Sequence, residues 1–150
     1  MTARLFRGER ARDGRGRVHL DGEVLAPESQ LWETSLCLRN YSPSGPEWGS
    51  HGTGSAQLAI TMLMAVTDTD EAERHHPLFR SSVLALIRTD RWTLPVHHMD
   101  TWLDGVRKQD HQVFFRLGRG WSRRSATPPH HPSELRPARK HHPKRARYDD

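Results

Sequence analysis

Glu47 and Trp48 stand between Gly45 and Gly49, and Gly52-Thr53-Gly54-Ser55 follows within a few residues. A carboxylate beside an indole in a glycine-rich loop can serve as a general base or anchor a ligand. Gly52 to Ser55 leads into an apolar run, and the free N–H groups and dipole of a helix start can hold a phosphate or carboxylate. Glu47, Trp48, Gly52, Thr53, Gly54 and Ser55 therefore form the candidate ligand-binding set, with Glu47 its one candidate catalytic acid/base. Each also has a plain structural reading. Glu47 accepts N–H bonds within its turn, Trp48 fills a sheet–helix junction, and Ser55 caps the helix. The glycines supply backbone angles that other residues resist. The structural reading is the stronger, because neither Gly-x-x-x-x-Gly-Lys-Ser/Thr nor a strand–Gly-x-Gly-x-x-Gly–helix unit is present.

Other reactive side chains give less. Four His-His pairs occur, at 75–76, 97–98, 130–131 and 141–142, and three are followed by Pro. Adjacent histidines on a helix point apart, and no His-Glu-x-x-His or Cys/His spacing accompanies them, so no metal site and no cofactor is expected. Cys37, the single cysteine, alternates with Leu36 and Leu38 and reads as a strand residue; no Gly-x-Ser-x-Gly elbow occurs. One cysteine rules out an intrachain disulfide framework and fits a reducing cytoplasm.

Charge is unevenly spread. The chain carries a formal +5, yet residues 1–17 hold +4, residues 18–118 hold −5 and residues 119–150 hold +6. A mildly acidic body argues against a uniformly basic nucleic-acid-binding fold. The basic residues after 118, notably Arg123, Arg124, Arg139, Lys140, Lys144, Arg145 and Arg147, can neutralise phosphates and give salt-dependent, sequence-independent contact with DNA or RNA. The plain reading of that tail is a solvating extension. Residues 119–150 hold five Pro and four His, with Leu135 the only bulky aliphatic. Such a segment cannot bury enough apolar surface to offset ordering, so disorder is expected. No run approaches the roughly 18 apolar residues of a membrane span, and the start lacks a signal-peptide apolar core, so no membrane partner is expected.

The elements that must position the loop follow from pattern. Residues 4–7 suit a short strand, and 8–17 a mobile Arg/Gly stretch. Val18 to Leu25 reads as a hairpin turning at Asp21-Gly22, where positive φ is needed. Leu31 to Arg39 reads as a further strand, then the loop Asn40–Gly54. An almost wholly apolar helix from Ser55 to about Val66 suits the centre of a small domain. Thr67 to His76 reads as a polar connector with room for one helical turn, and Pro77 opens a second helix to about Arg88 with Phe79, Val83, Leu86 and Ile87 as its apolar stripe. Trp92 and Leu94 bracket a link, and Pro95 opens a third helix with Val96, Met99, Leu103 and Val106 on one face. Gln112 to Leu117 fits a last strand or an extension of that helix. Strands followed by helices predict an α+β fold, a small antiparallel sheet packed against about three helices. One compact domain over 1–118 and a tail over 119–150 are expected.

Residues 35–60 carry Asn40-Tyr41-Ser42-Pro43-Ser44-Gly45-Pro46-Glu47-Trp48-Gly49 and, after the glycine-rich turn, Ala56-Gln57-Leu58-Ala59. This string resembles the core of a domain-of-unknown-function family of bacteria, archaea, phages and other mobile elements. Its pattern is Asn-x-Ser-Pro-Ser/Thr-Gly-x-Glu-Trp-Gly followed by Ala-Gln-Leu-Ala. The resemblance covers about residues 4 to 104. Pro46 stands where that pattern tends to have an aromatic and Ser50-His51 where it tends to have Tyr-Gly, which weakens any reading of His51 as a family catalytic group. The resemblance implies a compact domain with no named activity. Two function classes follow. One is a non-enzymatic accessory or interaction domain, partnered by another protein or by nucleic acid through the tail. The other is an anion- or small-molecule-binding enzyme centred on Glu47 and the helix start at Ser55.

Overall fold

The computed structural model describes the backbone of residues 3–121 and side chains as far as His111. Four strands, β1 (Leu5–Arg10), β2 (Gly16–Leu20), β3 (Glu23–Ala26) and β4 (Arg91–Pro95), form one antiparallel sheet in the order β3-β2-β1-β4. The helices are α1 (Gln30–Leu38), α2 (Thr53–Met64), α3 (Thr69–Ser82) and α4 (Val96–Trp121), with a 3₁₀ turn at Leu84–Leu86. The fold is α+β, as the order of elements predicts: the sheet is the hairpin plus two strands, and four helices stand where about three are expected.

The hairpin turns where expected. Asp21 and Gly22 take φ of 53° and 88°, the left-handed pair that twists β2 into β3. The Asp21 carboxylate also accepts from the Leu5 N–H and from Arg4 Nε, both at 2.9 Å. The Leu5 N–H bond, then Arg4, holds this carboxyl below its usual range. The stretch expected to be mobile instead supplies paired backbone, Gly8 facing Val18 and Arg10 facing Gly16. Its glycines are needed for close approach. A Cβ on Gly8 would lie 2.1 Å from the Trp92 indole, and one on Gly16 would lie 2.7 Å from the Pro46 carbonyl oxygen.

Helix boundaries differ from the sequence reading in several places, and α3 ends at Ser82 rather than near Arg88. Leu31 to Leu38 is helical rather than extended, so Cys37 lies exposed on α1 and on no strand. Ser29 caps this helix by accepting from the Trp32 N–H at 3.0 Å, and Trp32 and Ser35 are its buried face. The supposed connector Thr67–His76 is most of α3. Asp68 caps it by accepting from the Glu71 N–H, and Ala72, His75, His76 and Phe79 are buried at i, i+3, i+4 and i+7. Two histidines in that stripe hide its amphipathicity. Pro77 lies inside α3, not at its start. Trp92 and Leu94 belong to β4, which pairs with β1 along its length. The backbone from Gln112 to Leu117 continues α4.

Helix α2 runs through the core, buried from Gly54 to Leu63. It packs with α1 and α3 under the inner sheet face, where Phe6 and Val18 are wholly buried. Val96, Met99, Leu103 and Val106 form the buried stripe of α4. Among the described residues no helix is long and apolar enough to cross a membrane.

Candidate functional site

The loop Asn40–Gly54 divides its residues between two partners. Trp48 turns inward and is 3% exposed. Its Nε1 donates to the Thr89 carbonyl at 3.0 Å, and its ring meets the edge of Trp92 with centroids 5.6 Å apart. The Arg10 guanidinium lies 4.7 Å from the ring centre, in cation–π contact, while donating to Asp90 Oδ1 at 2.8 Å. Gly49 follows with φ of 78°, and its N–H donates to the Leu84 carbonyl at 2.8 Å. Trp48 and Gly49 thus tie the loop to β1, β2 and the segment entering β4.

Glu47 points the other way and is exposed. Its Cβ and Cγ cover Gly54, where an added Cβ would sit 2.9 Å from both. That contact lays the stem of Glu47 against the first turn of α2. Gly52, not Ser55, is the N-cap of this helix, and Thr53 is exposed in its first turn. Ser55 is wholly buried, its hydroxyl 3.4 Å from that of Ser50, which accepts from the Gly52 N–H at 3.2 Å. The structure brings Glu47 to Gly54 and sends Trp48 away from both. Arg123, Arg124, Arg139, Lys140, Lys144, Arg145 and Arg147 lie outside the described residues.

Gln57 holds the start of the loop. It is wholly buried, and its Oε1 accepts from the N–H groups of Tyr41 at 2.7 Å and Ser42 at 3.3 Å. Its Nε2 donates to Ser35 Oγ at 2.9 Å, and Ser35 in turn bonds Thr61 Oγ1 at 2.7 Å. One buried polar network therefore joins α1, α2 and the loop. Every such partner matters, because an orphaned buried donor costs more than a hydrogen bond returns.

A second pair was not singled out from the sequence. Pro77 has no N–H, so within α3 the Glu73 carbonyl loses its usual partner. The His76 imidazole takes that place, its Nδ1 donating to the Glu73 oxygen at 2.7 Å. With the proton on Nδ1, Nε2 is an acceptor, and the Tyr41 hydroxyl donates to it at 3.0 Å. Burial pushes the His76 pKa down, and Arg80 adds to the effect. The pair borders a shallow cleft of about 390 Å³ that Arg39, Asp70, Glu73 and Arg74 complete, with Arg39 Nε on Glu73 Oε1 at 2.8 Å. Two cations face two carboxylates there, which gives no excess charge to attract an ion. The readable signal was the His-Pro step inside a capped helix.

Among the described residues no three His, Cys, Asp or Glu side chains converge as metal ligands. His97 and His98 stack edge to face on the exposed first turn of α4. No curated protein and no solved structure matches the chain. A family model does match, over residues 6–105, which takes in the sheet from Phe6 onward, the loop and the buried helix α2. On that coverage the chain belongs to the family of unknown function DUF6166.

Proposed function

We propose that this protein is a non-enzymatic interaction domain that contacts DNA or RNA without sequence preference, the basic tail supplying the contact. The observation that supports the first half is the use of the loop. Trp48, Gly49, Gly54 and Gln57 are each engaged in packing or in backbone hydrogen bonds, and the stem of Glu47 packs on Gly54 in the first turn of α2. The second half is supported by charge, +6 over residues 119–150. Arginines and lysines on such a segment displace condensed counterions from a phosphate backbone, so affinity falls steeply with salt.

The test compares the full chain with a variant carrying Gln at 123, 124, 139, 140, 144, 145 and 147. Affinity for a short DNA duplex and for an RNA of equal length is measured from low to moderate salt. The tail variant is expected to bind both more weakly and with a shallower salt dependence. Equal binding by the two proteins, or none by the wild type, overturns the proposal.

A further inference from the structure

The mildly acidic body resolves into two oppositely charged layers. The strands and their connections, residues 3–26 and 88–95, hold eight Arg against five acids, a balance of +3. The helical remainder, 27–87 with 96–111, holds five Lys/Arg against ten acids, a balance of −5. Within the sheet the alternation of strand residues sends Phe6 and Val18 inward and Arg7, Glu9, Arg17, Arg91 and Thr93 to the outer face, where all five are exposed.

The register groups the cations. Arg7 lies opposite Thr93 on β4 and His19 on β2, and Glu9 lies between Arg91 and Arg17. Arg7 is thus diagonal to both Arg17 and Arg91, a separation of about 7–8 Å on a pleated surface. Arg4, Arg10, Arg15 and Arg17 each meet a carboxylate, whereas among the described residues Arg7 and Arg91 are in no ion pair. Both line an open cleft of about 660 Å³ with His19, Trp92, Thr93 and one carboxylate, Glu9.

From this juxtaposition we infer that the outer sheet face is a second nucleic-acid contact surface, with Arg7 and Arg91 holding successive phosphates. The inference rests on the reading of the protein as a nucleic-acid binder and extends it from the tail to the folded unit. Charge complementarity selects the occupant. A face with cations in no ion pair favours an anionic occupant, and guanidinium forks pair with phosphate oxygens in two parallel bonds. Contact through backbone phosphates alone carries no base readout, so binding by this face is independent of sequence.

The experiment uses the full chain in four forms: wild type, Arg7→Gln with Arg91→Gln, the tail variant, and a control, Arg74→Gln with Lys108→Gln, that removes two cations from the acidic layer. Affinity for a short duplex is measured between 50 and 200 mM salt. Two lost phosphate contacts flatten the logarithmic salt slope by about 1.8, so the face variant loses roughly tenfold less affinity over that range than the wild type. The control keeps the wild-type slope. If the face variant matches the control while the tail variant loses binding, the face is overturned and the tail reading stands. If the wild type does not bind, both fall. Displacement from the face by polyglutamate with no effect of nucleic acid overturns it in favour of an acidic protein. So does salt-sensitive self-association that the Arg7/Arg91 variant abolishes while its slope stays wild-type. Thr93→Glu, which sets a carboxylate opposite Arg7, gives the same reading should the double variant unfold.

Discussion

Trp48 meets a cation, an aromatic edge and a carbonyl acceptor at once, while Glu47 beside it meets the methylene-thin surface of Gly54. Adjacent residues of one motif therefore differ in what their loss does. Trp48→Ala should lower unfolding free energy by about 3–5 kcal/mol, as truncation of a buried aromatic does, read by denaturant titration. Glu47→Gln keeps the stem over Gly54 and should stay within about 0.5 kcal/mol of wild type. It should also leave thermal-shift responses to phosphates and nucleotides unchanged; a response lost on this substitution would restore Glu47 as a ligand group. Gly8→Ala should cost about 1–3 kcal/mol, because its methyl enters the Trp92 ring. At His76 the sign of the pH effect is fixed by geometry. The folded imidazole resists protonation, so the unfolded chain takes the proton first, and stability falls as pH drops below about 6.5. Protonation also ends the acceptor role of Nε2 toward Tyr41. His76→Gln should remove this step from a plot of unfolding midpoint against pH between 8 and 5.5.

At the scale of elements, α3 and α4 are joined by a fork between Glu71 and Arg107. Arg107 Nε and Nη2 donate to the two Glu71 oxygens at 2.8 and 2.5 Å, and the Thr67 hydroxyl donates to Glu71 Oε2 as well. Arg107, then Thr67, holds the Glu71 pKa at about 2, and the same pairing raises that of Arg107. A depressed carboxylate stabilises above its unfolded value and loses that contribution as pH falls toward its folded one. The stability difference between wild type and Glu71→Gln should thus be constant above about pH 4.5 and shrink between 4.5 and 2. A difference unchanged at pH 2 would mean the fork adds nothing. Elements of this kind were unequally legible in the sequence. The hairpin at Asp21-Gly22, the buried α2 and the stripe of α4 follow from turn chemistry and periodicity, because one local rule dominates each. Helix α1 reads as a strand because Leu36, Cys37 and Leu38 mimic alternation, and its Ser29 cap outweighs them. Helix α3 was hidden because its buried stripe contains His75 and His76, whose burial depends on partners 35 residues away at Tyr41 and, for His75, at Asp110. The structural reading of Trp48 is legible in the sequence, but its partners Thr89 and Arg10, like Ser35 beside Gln57, approach only in the fold.

For the whole molecule, the sum of charges conceals the arrangement. A body of net negative charge presents a basic sheet to one side, and a strongly basic segment follows it in the chain. The proposal at this scale is that the protein meets nucleic acid electrostatically through its basic segment. The most direct measurement is the salt dependence of full-chain affinity for a DNA duplex, with and without the seven tail cations. Each phosphate contact steepens the logarithmic slope by about 0.9, so the wild type should show a slope of several units and the tail variant a clearly smaller one. A flat salt dependence, or identical slopes for the two proteins, would contradict the account.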